Sequence, residues 1–239
     1  MFMKKQILCL TAVFLSFFQA LQAENFKVNL EDFDVLEIRV SGDVDWKAGP
    51  AGCSVDCSAP LFEELEIEQN GRKVIIQWKR SGKPGWKSGT NKLLIHLQSD
   101  YLKKVAISGS ADLKFLSPDK VQDFSLSIAG SGDFSGPLEC AGSVSMSVSG
   151  SGDLAPSGTC KNLDLSISGS GDFSGGSLQA ERVKIAIAGS GDATIFASEE
   201  LDAAVSGSGD VRYAGNPKKV NKKVSGSGEI SAVRSGGQK

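Results

Sequence analysis

The chain has 239 residues, of which 26 are basic and 28 acidic, giving a formal net charge of −2 at pH 7. This balance leaves no excess of positive charge for a phosphate backbone or an anionic lipid surface. We therefore expect neither nucleic-acid binding nor polybasic membrane attachment. Glycine is frequent, with 28 residues, whereas proline is scarce, with 7, so the composition argues against a disordered linker protein.

The first 23 residues have the three parts of a secretory signal peptide. Lys4 and Lys5 form a positive start, residues 7–18 form an apolar segment, and Leu21-Gln22-Ala23 offers a cleavage point. The apolar segment is too short for a stable membrane span, and no later segment is apolar enough to be one. The sequence therefore predicts export to the periplasm, the outer surface or the extracellular space, with no transmembrane span.

A turn motif repeats along the C-terminal part of the chain. A typical copy is Val148-Ser-Gly-Ser-Gly-Asp153; the first copy has Ala111 for the second glycine, and the last has Glu229 for the aspartate. A fainter relative, Val40-Ser-Gly-Asp43, stands near the start of the mature chain. The first glycines of the seven copies lie 18 to 21 residues apart: Gly109, Gly130, Gly150, Gly169, Gly189, Gly207 and Gly226.

Residues that alternate with period two precede each turn. Phe124, Leu126 and Ile128, for example, alternate with Ser125 and Ser127, which is typical of a strand with one apolar face. A repeat of about 20 residues is too short for a propeller blade and lacks a helical pattern. The sequence predicts an all-β chain that forms a parallel β-helix, or solenoid, with coils about 4.8 Å apart.

The domain organisation follows from where the repeat is regular. Residues 1–23 are the signal, and residues 24–100 form an irregular β-structure that caps or begins the solenoid. Residues 101–239 form the repeats. Within the irregular part, Asn70-Gly71 marks a hairpin. The last coil, where Val220-Asn-Lys-Lys-Val224 replaces apolar residues with charge, is expected to cap the stack.

Four cysteines follow the signal, and export would permit disulfides. Cys140 and Cys160 are one coil length apart, which puts their Cα atoms within reach of a disulfide on neighbouring coils. Cys53 and Cys57 would then pair within a loop. Free thiols are the alternative, and a metal site is less favoured because no histidine or second cysteine pair stands near.

The signal, the irregular β start and the repeated Ser-Gly-Ser-Gly-Asp turns resemble the auto-transporter adhesin head domain, or GIN domain, of exported bacterial proteins. The resemblance covers most of the mature chain. It implies a right-handed β-helix at the cell surface or in the periplasm, with a non-enzymatic binding or scaffold role and a glycan or surface protein as partner. A carbohydrate-active or carbohydrate-binding β-helix protein is the alternative.

The acidic residues of the turns form a predicted column. Neighbouring carboxylates about 5 Å apart repel by about 1 kcal/mol in water, so something must offset the repulsion. One hypothesis is a row of bound Ca²⁺ ions; the other is that each acid accepts hydrogen bonds from turn N–H groups. The candidate calcium residues are Asp133, Asp153, Asp172, Asp192 and Asp210; no other cofactor is expected.

We do not expect an enzyme. Glycosidases need two acids that converge in a cleft, whereas these acids repeat along a column. The only histidine, His96, alternates with apolar residues and is expected on the solvent face of a strand. Trp86, in a glycine- and proline-containing loop between Lys83 and Lys87, is the best candidate for a sugar-stacking aromatic, and ordinary packing beneath the cap is the favoured alternative for the aromatic residues of this region.

Overall fold

The structure is a computed structural model that describes residues 24–79 and 92–233. The predicted signal peptide and Trp86 lie outside the described residues. Within them the chain is almost entirely β-structure, and no helix has the length and apolarity needed to cross a membrane. The one helix among the described residues, α1, spans Ala59–Glu64. The first nine strands are β1 (Glu24–Val28), β2 (Val35–Arg39), β3 (Gly42–Ala48), β4 (Gly52–Cys57), β5 (Leu65–Asn70), β6 (Lys73–Trp78), β7 (Leu94–Ser99), β8 (Lys104–Gly109) and β9 (Ala111–Phe115). The others are β10 (Asp119–Val121), β11 (Phe124–Gly130), β12 (Phe134–Cys140), β13 (Ser143–Gly150), β14 (Leu154–Gly169), β15 (Phe173–Gly189), β16 (Ala193–Gly207), β17 (Val211–Ala214), β18 (Lys219–Gly226) and β19 (Ile230–Ala232).

Successive coils stack with parallel strands, which confirms the predicted β-solenoid; the register is constant along the strands before the turns and shifts at bulges in the earlier parts of β14 and β15. The strands before the turns form one face, here called face A: β8, β11, β13, the last parts of β14, β15 and β16, and β18. The strands after the turns form face B: β9, β12, the first parts of β14, β15 and β16, β17 and β19. The turn motif is the corner that joins the two faces.

The core is a stack of inward-facing apolar rows. Val148 pairs with Ile167, and Ile167 pairs with Ile187, so side chains of one row contact their equivalents in neighbouring coils. All three are almost fully buried. Because each coil covers the apolar row of the next, stability comes from stacking, as the period-two pattern predicts.

The N-terminal region joins the same stack, but out of chain order. β2 pairs in parallel with β6 on one side and with β8 on the other. Likewise β3 lies between β7 and β9. The coil made of β2 and β3 is therefore inserted between the coil made of β6 and β7 and the first regular repeat.

Antiparallel strands close the N-terminal end of the solenoid. On face A, β5 pairs with β6. On face B, β4 pairs with β7, and β1 pairs with β4, so two strands extend beyond β7. Helix α1 packs on this end, where the ring of Phe62 stacks on that of Phe26 with centroids 4.1 Å apart.

Candidate functional site

The acid column exists, and a hydrogen-bond ladder runs along it. The backbone N–H of Asp153 donates to Oδ1 of Asp133 at 2.8 Å, and that of Asp172 donates to Oδ1 of Asp153 at 2.9 Å. The backbone completes the ladder in the opposite sense, since the N–H of Phe134 donates to the carbonyl of Asp153. Each aspartate therefore substitutes its carboxylate for a backbone acceptor at the corner, where the strand ladder is interrupted.

The donor in this ladder comes from the next coil, 18 to 21 residues away, and not from the same turn as an Asx turn would require. This arrangement also explains Glu229 in the last copy. Its N–H donates to Oδ1 of Asp210 at 2.9 Å, whereas its carboxylate accepts no hydrogen bond within residues 24–79 and 92–233. The last coil therefore needs only a backbone donor at this position.

The ladder bears on the calcium hypothesis. In each aspartate of the column from Asp112 to Asp210, one carboxylate oxygen already accepts an N–H, and the side chains are exposed or half-exposed. In the described part of the chain, no group of three or more His, Cys, Asp or Glu residues is arranged to hold a metal ion. Calcium binding along the column stays a hypothesis beside the hydrogen-bond ladder.

Face A presents a smooth outer surface of small side chains. Two of its outward rows consist of serine and alanine until the last coil. One row is Ala106, Ser127, Ser147, Ser166, Ala186, Ala204 and Lys223, and the other is Ser108, Ala129, Ser149, Ser168, Ala188, Ser206 and Ser225.

A polar groove of about 490 Å³ borders this surface. Arg182 lines this groove; its Nε donates to Oδ1 of Asn162 at 2.8 Å and its Nη1 donates to Oε2 of Glu199 at 2.7 Å. Asn162 in turn donates to Oγ of Ser143 at 3.1 Å. These groups are already paired with one another, which makes the groove a structured polar surface.

A second groove of similar volume lies on face B beside the start of the acid column. Asp43 of the faint N-terminal motif is the register partner of Asp112, so the column extends one coil further than the regular repeats. Next to it, His96 lies between two carboxylates, with Nδ1 3.3 Å from Asp45 and Nε2 3.3 Å from Asp56. His96 is partly exposed on the outer face of β7, as its alternation predicts; its two partners come from β3 and β4.

Asp119 is a buried acid that its position in the sequence did not single out. Its carboxyl group is fully buried; Oδ1 accepts the N–H of Leu102 at 3.1 Å, and Oδ2 has no hydrogen-bond partner in the described structure. Burial raises the pKa of Asp119 to about 7, although the Leu102 hydrogen bond opposes the shift. In the sequence this aspartate follows a Ser-Pro pair and has the pattern of an ordinary loop acid.

The tryptophan near the start of the mature chain is a core residue. Trp46 is fully buried, and its indole Nε1 donates to Oγ of Ser99 at 2.9 Å. Its ring contacts Phe115, with centroids 4.6 Å apart. Packing therefore accounts for Trp46, and a sugar-stacking role for it is excluded by its burial.

The four described cysteines are buried thiols, and burial raises each pKa, to about 12 for Cys53 and Cys140 and about 11 for Cys57 and Cys160.

The predicted pairing of Cys53 with Cys57 is wrong. Both lie on the extended strand β4, and four residues of strand span about 13 Å, beyond the reach of a disulfide. Cys140 and Cys160 do lie at equivalent positions of neighbouring coils, next to the register pair Glu139 and Thr159; their disulfide stays a prediction.

Comparisons with known proteins agree with this architecture. The crystal structure of "a putative adhesin" from Bacteroides fragilis NCTC 9343 has a TM-score of 0.80 at 20% identity, covering 89% of this chain and 97% of that chain. A "putative lipid binding protein" from Parabacteroides distasonis ATCC 8503 has a TM-score of 0.72 at 26% identity, with the same coverage. A "putative adhesin" from Parabacteroides merdae ATCC 43184 has a TM-score of 0.68 at 21% identity, again with the same coverage.

The search of curated proteins gave no match. A family model described as "Putative auto-transporter adhesin, head GIN domain" matches residues 23–217, which include the N-terminal coils as well as most of the repeats. The resemblance noted in the turn motifs is thus confirmed. The chain belongs to the "Putative auto-transporter adhesin, head GIN domain" family.

Proposed function

We propose that this protein is a non-enzymatic adhesion module, exported to the cell envelope, that binds a surface molecule through the outer side of its solenoid. The family match over residues 23–217 is the observation that carries the proposal. The signal-like first 23 residues support export, and an adhesin family supports binding to a surface molecule.

The chemistry of the described surface supports a binding role over a catalytic one. The acids of the turn column are spaced one per coil and share one hydrogen-bonding pattern. Repeated, equivalent groups provide an extended surface, whereas a glycosidase needs two carboxylates with different environments facing one bond.

The test is a binding screen with the mature chain, residues 24–239. Biotinylated protein is applied to a glycan array, to immobilised extracellular-matrix proteins and to lipid vesicles; the vesicles are included because one structural relative is described as lipid binding. We expect saturable binding to one ligand class that is absent after heat denaturation. Turnover of an arrayed glycan would instead support a carbohydrate-active protein, and no saturable binding to any class would contradict the proposal.

Two matched pairs of variants then locate the contact. Ser147→Arg with Ser166→Arg places two large charges on register partners in neighbouring coils of face A. Ser174→Arg with Thr194→Arg does the same on face B. All four side chains are exposed, so neither pair disturbs the core. A ligand bound on one face loses at least tenfold in affinity with that pair and is unaffected by the other.

A further inference from the structure

The two ends of the solenoid differ, and within the described residues no further strand covers the C-terminal end. We call β18 and β19 the C-terminal edge. Within residues 24–79 and 92–233, β18 pairs only with β16, and β19 pairs only with β17. Every residue of β18 is exposed. The opposite end, by contrast, carries antiparallel strands and helix α1.

The apolar row of face A continues into this open strand. Val220 is the register partner of Leu201, and Val224 is the partner of Val205. Leu201 and Val205 are at most 2% exposed, whereas Val220 and Val224 are 37% and 42% exposed. Between them, Lys222 extends its Nζ to the carbonyl of Ile230 at 3.0 Å and lies 4.7 Å from the ring centroid of Tyr213. The last coil thus keeps two apolar positions that a further strand would cover.

The outward side of β18 indicates the charge of that further strand. Register places Arg182, Glu200 and Lys219 next to one another on successive coils, so the sign of charge alternates along the stack. Nζ of Lys219 lies 2.5 Å from Oε1 of Glu200 on one side, and the Lys219 side chain is 62% exposed. Lys218 and Lys223 add two more exposed amines at the same edge. The next member of this ladder would be acidic.

The chain itself closes its other end with a strand of that kind. In β5, Glu66 and Glu68 alternate with Leu65 and Ile67, and the strand pairs antiparallel with β6. Nε2 of Gln77 donates to Oε2 of Glu66 across this pair at 2.9 Å. An acidic strand with alternating apolar residues is therefore a workable end strand for this solenoid.

A second copy of the chain does not fit the C-terminal edge by the same strand. If β5 of another copy paired with β18, β4 of that copy would lie level with β5 on face B and β1 would extend one strand further. With coils spaced at about 4.8 Å, β1 would then occupy the position of β19. Pairing β18 with β18 of another copy would bring Lys222 and Lys223 opposite like charges.

We propose that the C-terminal edge binds an extended acidic segment of a partner protein, in which acidic and apolar residues alternate, by adding it as a strand to β18. Backbone hydrogen bonds would supply the pairing, Val220 and Val224 would receive the apolar side chains, and the lysines would select the acidic ones. The edge of β18 is distinct from the outer sides of faces A and B that the two arginine pairs test, so neither proposal depends on the other.

The test uses the mature chain and a fluorescent eight-residue peptide of alternating Glu and Val. We expect saturable binding by fluorescence anisotropy and slower amide hydrogen exchange in residues 219–226. A peptide of alternating Lys and Val should bind at least tenfold more weakly, and so should a Glu-Val peptide with a central proline, which cannot complete the strand ladder. These peptide controls leave the protein unchanged and do not depend on the folding of any variant.

A protein variant gives the reciprocal test. Lys219→Glu with Lys223→Glu should lower the affinity for the Glu-Val peptide at least tenfold. Lys104→Glu with Lys161→Glu makes the same change in net charge away from the C-terminal edge and should leave the affinity within twofold. Equal binding of the Glu-Val and Lys-Val peptides, slowed exchange in β5 in place of β18, or self-association that excludes the peptide would each overturn the proposal.

Discussion

In every turn copy after the first, both the backbone conformation and a backbone contact with the preceding coil disfavour a side chain at the first glycine. Gly150 has a φ of +139°, and a Cβ built on it would lie 2.1 Å from the carbonyl oxygen of Gly130 in the coil before. We expect Gly150→Ala to lower the free energy of unfolding by about 3 kcal/mol or more, because backbone strain and a backbone clash act together. Urea unfolding measures the loss.

Gly52→Ala is the matched control for that substitution. Gly52 lies on strand β4 without a positive φ, and the nearest atom to its built Cβ is 3.9 Å away. The control should change stability by less than about 1 kcal/mol. A Gly150→Ala loss no larger than that of Gly52→Ala would show that the turn column can shift to admit a methyl group.

The acid ladder predicts that the hydrogen bond of each aspartate stabilises the fold, whereas its charge does not. Asp153→Ala leaves the N–H of Asp172 without its acceptor and should lower stability by about 1–2 kcal/mol. Asp153→Asn keeps an acceptor oxygen and removes a like charge from the column, so it should be as stable as the wild type. Glu229→Ala should also be neutral, because Glu229 contributes its backbone N–H. Thermal melts of the three variants check this order; an Asn variant as unstable as Ala would mean that the charge is required.

Asp119 should make stability depend on pH. Its pKa is raised from an ordinary value near 3.8 to about 7, so the folded state favours the protonated acid. The stabilisation is complete below the unfolded-state pKa and is lost as pH rises towards 7. Asp119→Asn retains an acceptor for the Leu102 N–H and cannot ionise. We therefore expect the wild type to lose on the order of 4 kcal/mol relative to this variant between pH 3 and pH 8, since one pKa unit corresponds to about 1.4 kcal/mol. Parallel unfolding curves for the two proteins across this pH range would contradict the assignment.

At the scale of strands, the sequence predicts the structural features that recur in every coil. Strand alternation, the corner turn and the coil length all follow from local patterns that recur with a constant period, and the register of Val148 with Ile167 could be read from that period. The hydrogen-bond donor of each acid could not be predicted from the sequence. Whether the donor N–H comes from the same turn or from the next coil depends on how closely the glycines let the coils approach.

Strand conformation also determines which of the two predicted disulfides is geometrically possible. Cys53 and Cys57 had loop-like spacing, and nothing local showed that Gly52 begins a strand that pairs antiparallel with β7. Cys140 and Cys160 differ because the repeat itself sets their relation. We propose that this second pair forms a disulfide across neighbouring coils when the protein folds under oxidising conditions.

The disulfide proposal predicts a redox-dependent stability. A bond that closes a loop of about 20 residues stabilises by roughly 3 kcal/mol, so Cys140→Ser with Cys160→Ser should equal the reduced wild type and melt below the oxidised one. Peptide mapping without reduction should find the cross-link. Cys53→Ser with Cys57→Ser is the control, and it should leave the effect of reductant unchanged. Two free thiols at 140 and 160 after oxidative refolding would contradict the proposal.

At the scale of the whole molecule, the order of coils in space departs from the order in the chain. The coil of β2 and β3 lies between later segments, and only the faint Val40-Ser-Gly-Asp43 motif signalled that it belongs to the stack. The insertion of one coil between segments that come later in the chain leaves no local pattern in the sequence. For the same reason, the meeting of His96 with Asp45 and Asp56 from two other strands could not be predicted, although each lies on an outer strand position.

The acid column, which runs along most of the stack, decides how salt should act on the whole molecule. Carboxylates one coil apart repel by about 1 kcal/mol per pair in water, and salt screens that repulsion. The N–H donors of the ladder offset the repulsion without a cation. We therefore expect Tm to rise modestly with NaCl, to rise equally in CaCl₂ or MgCl₂ of matched ionic strength, and to be unaffected by a chelator. A rise specific to Ca²⁺ that Asp153→Ala or Asp172→Ala reduces would instead establish calcium sites between the carboxylates, because screening alone does not distinguish ions of equal ionic strength and charge.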